Sequence, residues 1–229
     1  MQDSKFLTKH LLSLATPYAS ATTHSFLAAA GNGSLSHNLL SFWLYQDRIY
    51  AAQAYPKFIG SLISNIPFDP AHGLSSPEEN LNKRILKILL FALENIVRES
   101  SFFQETAQKW GLKLEGWPER KGTRDYTAEM ERMSKNWIDG LVFLWAMEKS
   151  RLAPGKSSSD SRTNAAIATL SENWTCPEFV AFVDDLSGLV DSLGIEPESA
   201  EWKRAEKVWA RVVELEANFW PMEEEIQHI

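Results

Sequence analysis

The chain has 229 residues, 44% of them hydrophobic, which is enough for one domain to bury a substantial core. Its net charge of −7 and pI near 5.3 argue against nucleic acid or an anionic membrane as partner, because the summed field repels both. A single cysteine, Cys176, excludes an internal disulfide framework and any thiolate-rich metal site. No apolar run is long enough to span a bilayer, and Met1-Gln2-Asp3-Ser4-Lys5 does not read as a secretory signal. These features predict a cytoplasmic protein, with the nucleus as the alternative compartment.

The pattern predicts helices throughout. Val and Ile are sparse and no run alternates with period two. A short helix over residues 5–14 meets Thr16-Pro17, and a second spans residues 17–30, ended by a left-handed turn at Gly31-Asn32-Gly33. Ser34 or Ser36 caps a helix reaching residue 64, with a kink near Tyr55 because Pro56 lies inside it. Residues 66–76 form a loop, and Ser76-Pro77-Glu78-Glu79 starts a long helix to Trp110. Helices are expected at residues 124–152, 162–172 and 176–193, with a mobile loop at 153–161. A last helix runs from Pro197 or Glu198 to about Glu225, with Pro221 able to bend it. No repeat of fixed period is visible, so residues 1–229 read as a single all-α, multi-helix domain.

Two helices carry acids among aromatic residues. Trp43, Asp47 and Tyr50 share one helical face at i, i+4 and i+7, too apolar to be solvated. A buried Asp47 needs a partner, which a ligand or an arginine on another helix can supply. In the last helix Trp202, Trp209, Glu216 and Trp220 share a face, while Glu214 and Glu224 fall toward water. Desolvation raises a carboxyl pKa and suits a general acid. The alternative for Glu216 is a structural hydrogen bond to a buried Tyr or Arg.

Metal chemistry is poorly provided for. The Glu-x-x-His spacing of dimetal bundles occurs only at Glu225-Ile226-Gln227-His228, and His10, His24, His37 and His72 lack such a partner. No metal or other cofactor is expected. Cys176 lies near a helix start, which can lower a thiol pKa, but no histidine is close to it in sequence.

Several segments together resemble the TenA (thiaminase-II) family, whose fold is the all-α heme-oxygenase-like bundle. They are His24-Ser25-Phe26-Leu27, Gly31-Asn32-Gly33-Ser34-Leu35 and Tyr45-Gln46-Asp47-Arg48-Ile49-Tyr50, followed by Asp125-Tyr126-Thr127, Trp174 with Phe179, and Glu216-Ala217-Asn218-Phe219-Trp220. The resemblance implies an aminopyrimidine pocket. In it Asp47 pairs with the ring's amino group and nitrogen, Tyr50 supports the catalytic acid and Glu216 is that acid. Tyr126 and Trp174 are walls, with Trp174 where the family has Tyr, and Trp43, Phe219 and Trp220 add stacking surface. The family's Pro-Cys pair would fall within Leu141-Val142-Phe143-Leu144, which holds no cysteine. The chain is similar to a cysteine-less branch thought to use carboxylates on aminopyrimidine breakdown products of thiamine. Glu148 is then a candidate second acid, although an exposed partner for Lys or Arg is the favoured reading. The resemblance implies hydrolysis of a C–N bond in thiamine salvage by a homo-oligomer, a dimer or tetramer. The alternatives are a non-catalytic heterocycle-binding protein and a diverged enzyme of specialised metabolism.

Overall fold

The structure, a computed structural model, describes residues 6–14, 18–151 and 162–227. The expected turn at Thr16-Pro17, the 153–161 loop and His228 lie outside the described residues. Among the described residues there is no strand, and the chain forms an all-α bundle. No described helix is long and apolar enough to cross a membrane.

Helices α1 (Leu7–Ser13), α2 (Tyr18–Thr22), α3 (Ser25–Asn32), α4 (His37–Ile49) and α5 (Tyr55–Ser64) form the first half, with a π-helical turn at Tyr50–Ala54. The second half comprises α6 (Pro77–Trp110), α7 (Lys121–Met133), α8 (Trp137–Arg151), α9 (Arg162–Thr175), α10 (Pro177–Asp191) and α11 (Ala200–Phe219). A short 3₁₀ turn, Glu223–Ile226, follows α11.

Helix α8 is the axis of the bundle. Its residues 141–147 are apolar all round, and each is 0–1% exposed. It packs against α11, α10, α7 and α5. The caps are those the sequence predicts at three places. Gly33 adopts φ 79° after α3, the Ser36 hydroxyl accepts from Leu39 N, and that of Ser76 accepts from Glu79 N.

The boundaries differ in four places, each for a local reason. The helix expected over residues 17–30 breaks before Ser25, because the Thr22 and Thr23 hydroxyls bond back to Tyr18 O and Ala19 O and His24 Nδ1 caps α3 by accepting from Phe26 N. The helix expected over 124–152 breaks at residues 134–136, where Asn136 Oδ1 accepts from Ile138 N and Asp139 N. The proline kink takes the form of a π turn. Tyr55 N bonds to Tyr50 O, and Pro56, which has no N–H to give, opens α5. Finally α11 stops at Phe219, because Trp220 precedes a proline and takes an extended conformation (φ −72°, ψ 122°).

Candidate active site

Helices α2, α3, α4, α7, α8, α9 and α11 converge on one cavity of about 100 Å³. Helix α4 contributes Trp43 and Asp47, α7 Tyr126, α9 Trp174, and α11 Glu216 and Phe219, with Trp220 just beyond. An apolar cavity of about 150 Å³ admits benzene, so this space is on the scale of one flat ring. Its walls suit such a ring. Trp43 lies nearly parallel to Trp220 (centroids 5.9 Å apart, 24°) and edge-on to Trp174 (6.0 Å, 78°), and Phe26 stacks on Trp220 at 5.4 Å.

Both acids face this space from buried positions, Asp47 at 1% and Glu216 at 5% exposure. Glu216 accepts a short hydrogen bond from the Tyr126 hydroxyl. Tyr18 belongs to the same electrostatic neighbourhood. Burial first, and then the Glu216 charge, push its phenol above the ordinary tyrosine value, while a hydrogen bond with Ser150 opposes them. Ser150 itself lines the cavity. Tyr50 sits behind the wall. Its ring stacks on Tyr126 (5.2 Å, 18°), its hydroxyl donates to Met147 Sδ at 3.6 Å, and it does not line the cavity.

Three further groups build the site without having been read as functional in the sequence. Gln46, fully buried beside Asp47, donates to Pro118 O (2.9 Å) and accepts from Arg120 N (3.0 Å) and the Thr123 hydroxyl (2.7 Å). It ties α4 to the start of α7. Arg120 donates to Asn218 O, Phe219 O and Trp220 O, and pairs through two nitrogens with Glu225. A cation at the end of α11 also suits the helix dipole. Glu99, 5% exposed, accepts from Trp174 Nε1 at 2.5 Å and from Asn173 Nδ2 at 3.4 Å. Its signal was present in the sequence, because Ala92, Ile96, Glu99 and Phe103 form one helical stripe.

The favoured reading of Glu148 is corrected. It is 5% exposed rather than solvated, and it accepts from the Tyr55 hydroxyl at 2.5 Å. Helix α8 is buried on every side here, so a phenol from α5 meets the carboxylate where a surface cation cannot. Cys176 is half-buried at the start of α10, and its thiol donates to Asn173 O. Among the described residues no three His, Cys, Asp or Glu side chains are grouped to hold a metal.

No family model matches the chain. Among solved structures, a TenA homologue from Pyrococcus furiosus superposes with a TM-score of 0.75 at 18% identity, covering 94% of this chain and 98% of that one. The chain has the TenA fold. A TenA family transcription regulator from a Silicibacter species gives the same TM-score at 16% identity, covering 93% and 94%. Two curated proteins are also similar to this TenA-fold chain in sequence. A probable transcription factor of Fusarium pseudograminearum is 28% identical over 94% of the chain. A probable bifunctional TENA-E protein of Glycine max is 21% identical over 90% of it. The chain spans 51% of the Fusarium protein's length and 87% of the Glycine max protein's.

Proposed function

We propose that the chain is a TenA-type enzyme that hydrolyses the C–N bond of an aminomethyl-substituted aminopyrimidine, within thiamine salvage. The observation that carries this reading is the pair of buried carboxylates, Asp47 from α4 and Glu216 from α11, lining one aromatic cavity. The ring stacks among Trp43, Trp174 and Trp220. Asp47 accepts from the ring's amino group and stabilises positive charge as that nitrogen releases electrons into the ring. The exocyclic C–N bond breaks, its electron pair leaves with nitrogen, and protonated Glu216 gives that nitrogen a proton. Water then adds to the ring-bound carbon and returns a proton to Glu216, so amine plus water become alcohol plus ammonia. Tyr126 holds the acid in place through its hydroxyl. No thiolate takes part, consistent with the absence of cysteine from residues 141–144. The same reading carries a cytoplasmic homo-oligomer, dimer or tetramer.

The test is turnover of such amines followed by mass spectrometry of the alcohol. Glu216→Gln retains an oxygen for the Tyr126 hydroxyl but cannot donate as the acid does. We expect kcat to fall roughly 10²- to 10⁴-fold with the fold retained. Equal turnover by this variant would remove Glu216 from the mechanism.

A second reading is a binder that keeps the pocket without the reaction. The buried, cysteine-free core at residues 141–144 favours it, as do the regulator names of the Fusarium and Silicibacter proteins. Calorimetric binding of pyrimidines with no product formed would select it.

A further inference from the structure

Three indoles line the cavity, and two of them spend their N–H groups on the protein. Trp174 Nε1 donates to Glu99, and Trp220 Nε1 donates to Ala21 O at 2.9 Å. Trp43 differs. It is 5% exposed, and its buried Nε1 has no hydrogen-bond acceptor among the described residues. The ring is hemmed by Phe26, Trp174 and Trp220, and none of these side chains carries an oxygen or a free lone pair. An orphaned buried donor costs about 1–3 kcal/mol, a cost that a bound acceptor removes.

We infer that Trp43 Nε1 is a specificity donor, and that the ligand carries a hydrogen-bond acceptor for it. The inference rests on the pyrimidine reading above and deepens it. Trp43 and Asp47 are one turn apart on α4, so their side chains are neighbours on one helix face. That turn offers a donor and a carboxylate acceptor side by side. The complementary ligand edge presents an acceptor and a donor in the same order. A 4-aminopyrimidine does so along one edge, its amino group donating to Asp47 and the adjacent ring nitrogen accepting from Trp43. A carbocyclic amine, which has no ring nitrogen beside its amino group, leaves the indole unanswered. The site thus discriminates by leaving a buried donor orphaned under the wrong ring, which is more selective than shape alone.

The experiment compares 4-aminopyrimidine with aniline, which keeps the amino group and lacks the ring nitrogens, at a pH where both are neutral. Calorimetry is run on the unsubstituted protein and on Trp43→Phe. We expect the variant to bind 4-aminopyrimidine roughly three- to tenfold more weakly, the value of one neutral hydrogen bond. Its affinity for aniline stays within about twofold. A second protein carrying benzothienylalanine at position 43 keeps the bicyclic shape without the N–H and repeats the test should Trp43→Phe unfold. Equal losses for both probes would reduce Trp43 to a stacking wall. No loss for either would mean that its N–H is spent against the Trp174 face. Both outcomes overturn the inference while the pyrimidine reading stands. If the unsubstituted protein binds neither probe, the pyrimidine reading falls and takes the inference with it.

Discussion

Glu99 shows how one side chain decides the shape of the site without touching its contents. Its carboxylate fixes the Trp174 indole from α6, and Trp174 in turn stands edge-on to Trp43. Glu99→Gln keeps an acceptor oxygen and should leave the wall in place. Glu99→Ala strips the half-buried Trp174 and Asn173 side chains of that acceptor, and the loss of such a hydrogen bond costs about 0.5–1.5 kcal/mol. We expect the denaturation midpoint to fall for the alanine variant and only slightly for the glutamine one, with KM for the aminopyrimidine rising only in the alanine variant. Equal behaviour of the two variants would show that Glu99 merely fills space. Much at this scale was legible beforehand. Trp43, Asp47, Tyr126, Trp174, Glu216, Phe219 and Trp220 all line the cavity. Trp43, Asp47, Glu216 and Trp220 could be read because an acid among aromatics on a helical stripe is chemically conspicuous, whereas Tyr126, Trp174 and Phe219 were placed in the pocket by the resemblance to the TenA family. Arg120 could not be read this way. Its role comes from carbonyls a hundred residues away, a relation that no periodicity records.

At the scale of elements, the distance between α7 and α11 is set by Gly122. A Cβ placed there would meet Asn218 O at 2.3 Å and Asn218 C at 3.1 Å, both backbone atoms that cannot swing aside. This close approach lies one turn from Tyr126 and Glu216, whose hydrogen bond spans the same two helices. Gly122→Ala must therefore push α7 away from α11. Overpacking of this kind costs about 1–3 kcal/mol. We expect a lower melting temperature and, because the Tyr126 hydroxyl is drawn off Glu216, a fall in kcat larger than the change in KM. An alanine variant with unchanged stability and turnover would show that the two helices are free to move apart. The helix breaks were the least legible elements. Those at Thr22-Thr23-His24 and Ser134-Lys135-Asn136 depend on side chains bonding to nearby backbone, and the long apolar periodicity on either side masks them. The π turn was half legible. Pro56 announces a disturbance, while no sequence pattern selects a wider turn over a sharp bend.

Across the whole molecule, Arg120 clasps the end of α11 and its 3₁₀ turn to the start of α7, next to the α3 cap formed by His24. Two titrating groups feel this clasp. Burial, and then the Arg120 charge, hold His24 below the ordinary histidine value of 6.5, with Glu225 pulling the other way. Burial raises Glu225, but its hydrogen bonds from Arg120 and Met222 N and the Arg120 charge outweigh this and leave it below the ordinary 4.5. Each group binds fewer protons folded than unfolded over part of the acid range, so each contribution is complete above its unfolded value and is lost as pH falls through the folded one. The histidine acts first, starting just below pH 6.5, and the carboxylate only below 4.5. Protonation at Nδ1 also removes the acceptor that caps Phe26 N, whose ring stacks on Trp220 in the cavity wall. Stability and ligand affinity should therefore decline together on acidification from about pH 7.5 to about pH 5.5. Asparagine is a good N-cap that does not titrate, so His24→Asn should flatten this part of the urea-midpoint profile while leaving the neutral-pH midpoint nearly unchanged. A variant as acid-sensitive as the parent between those two values would place the responsible proton elsewhere in the fold.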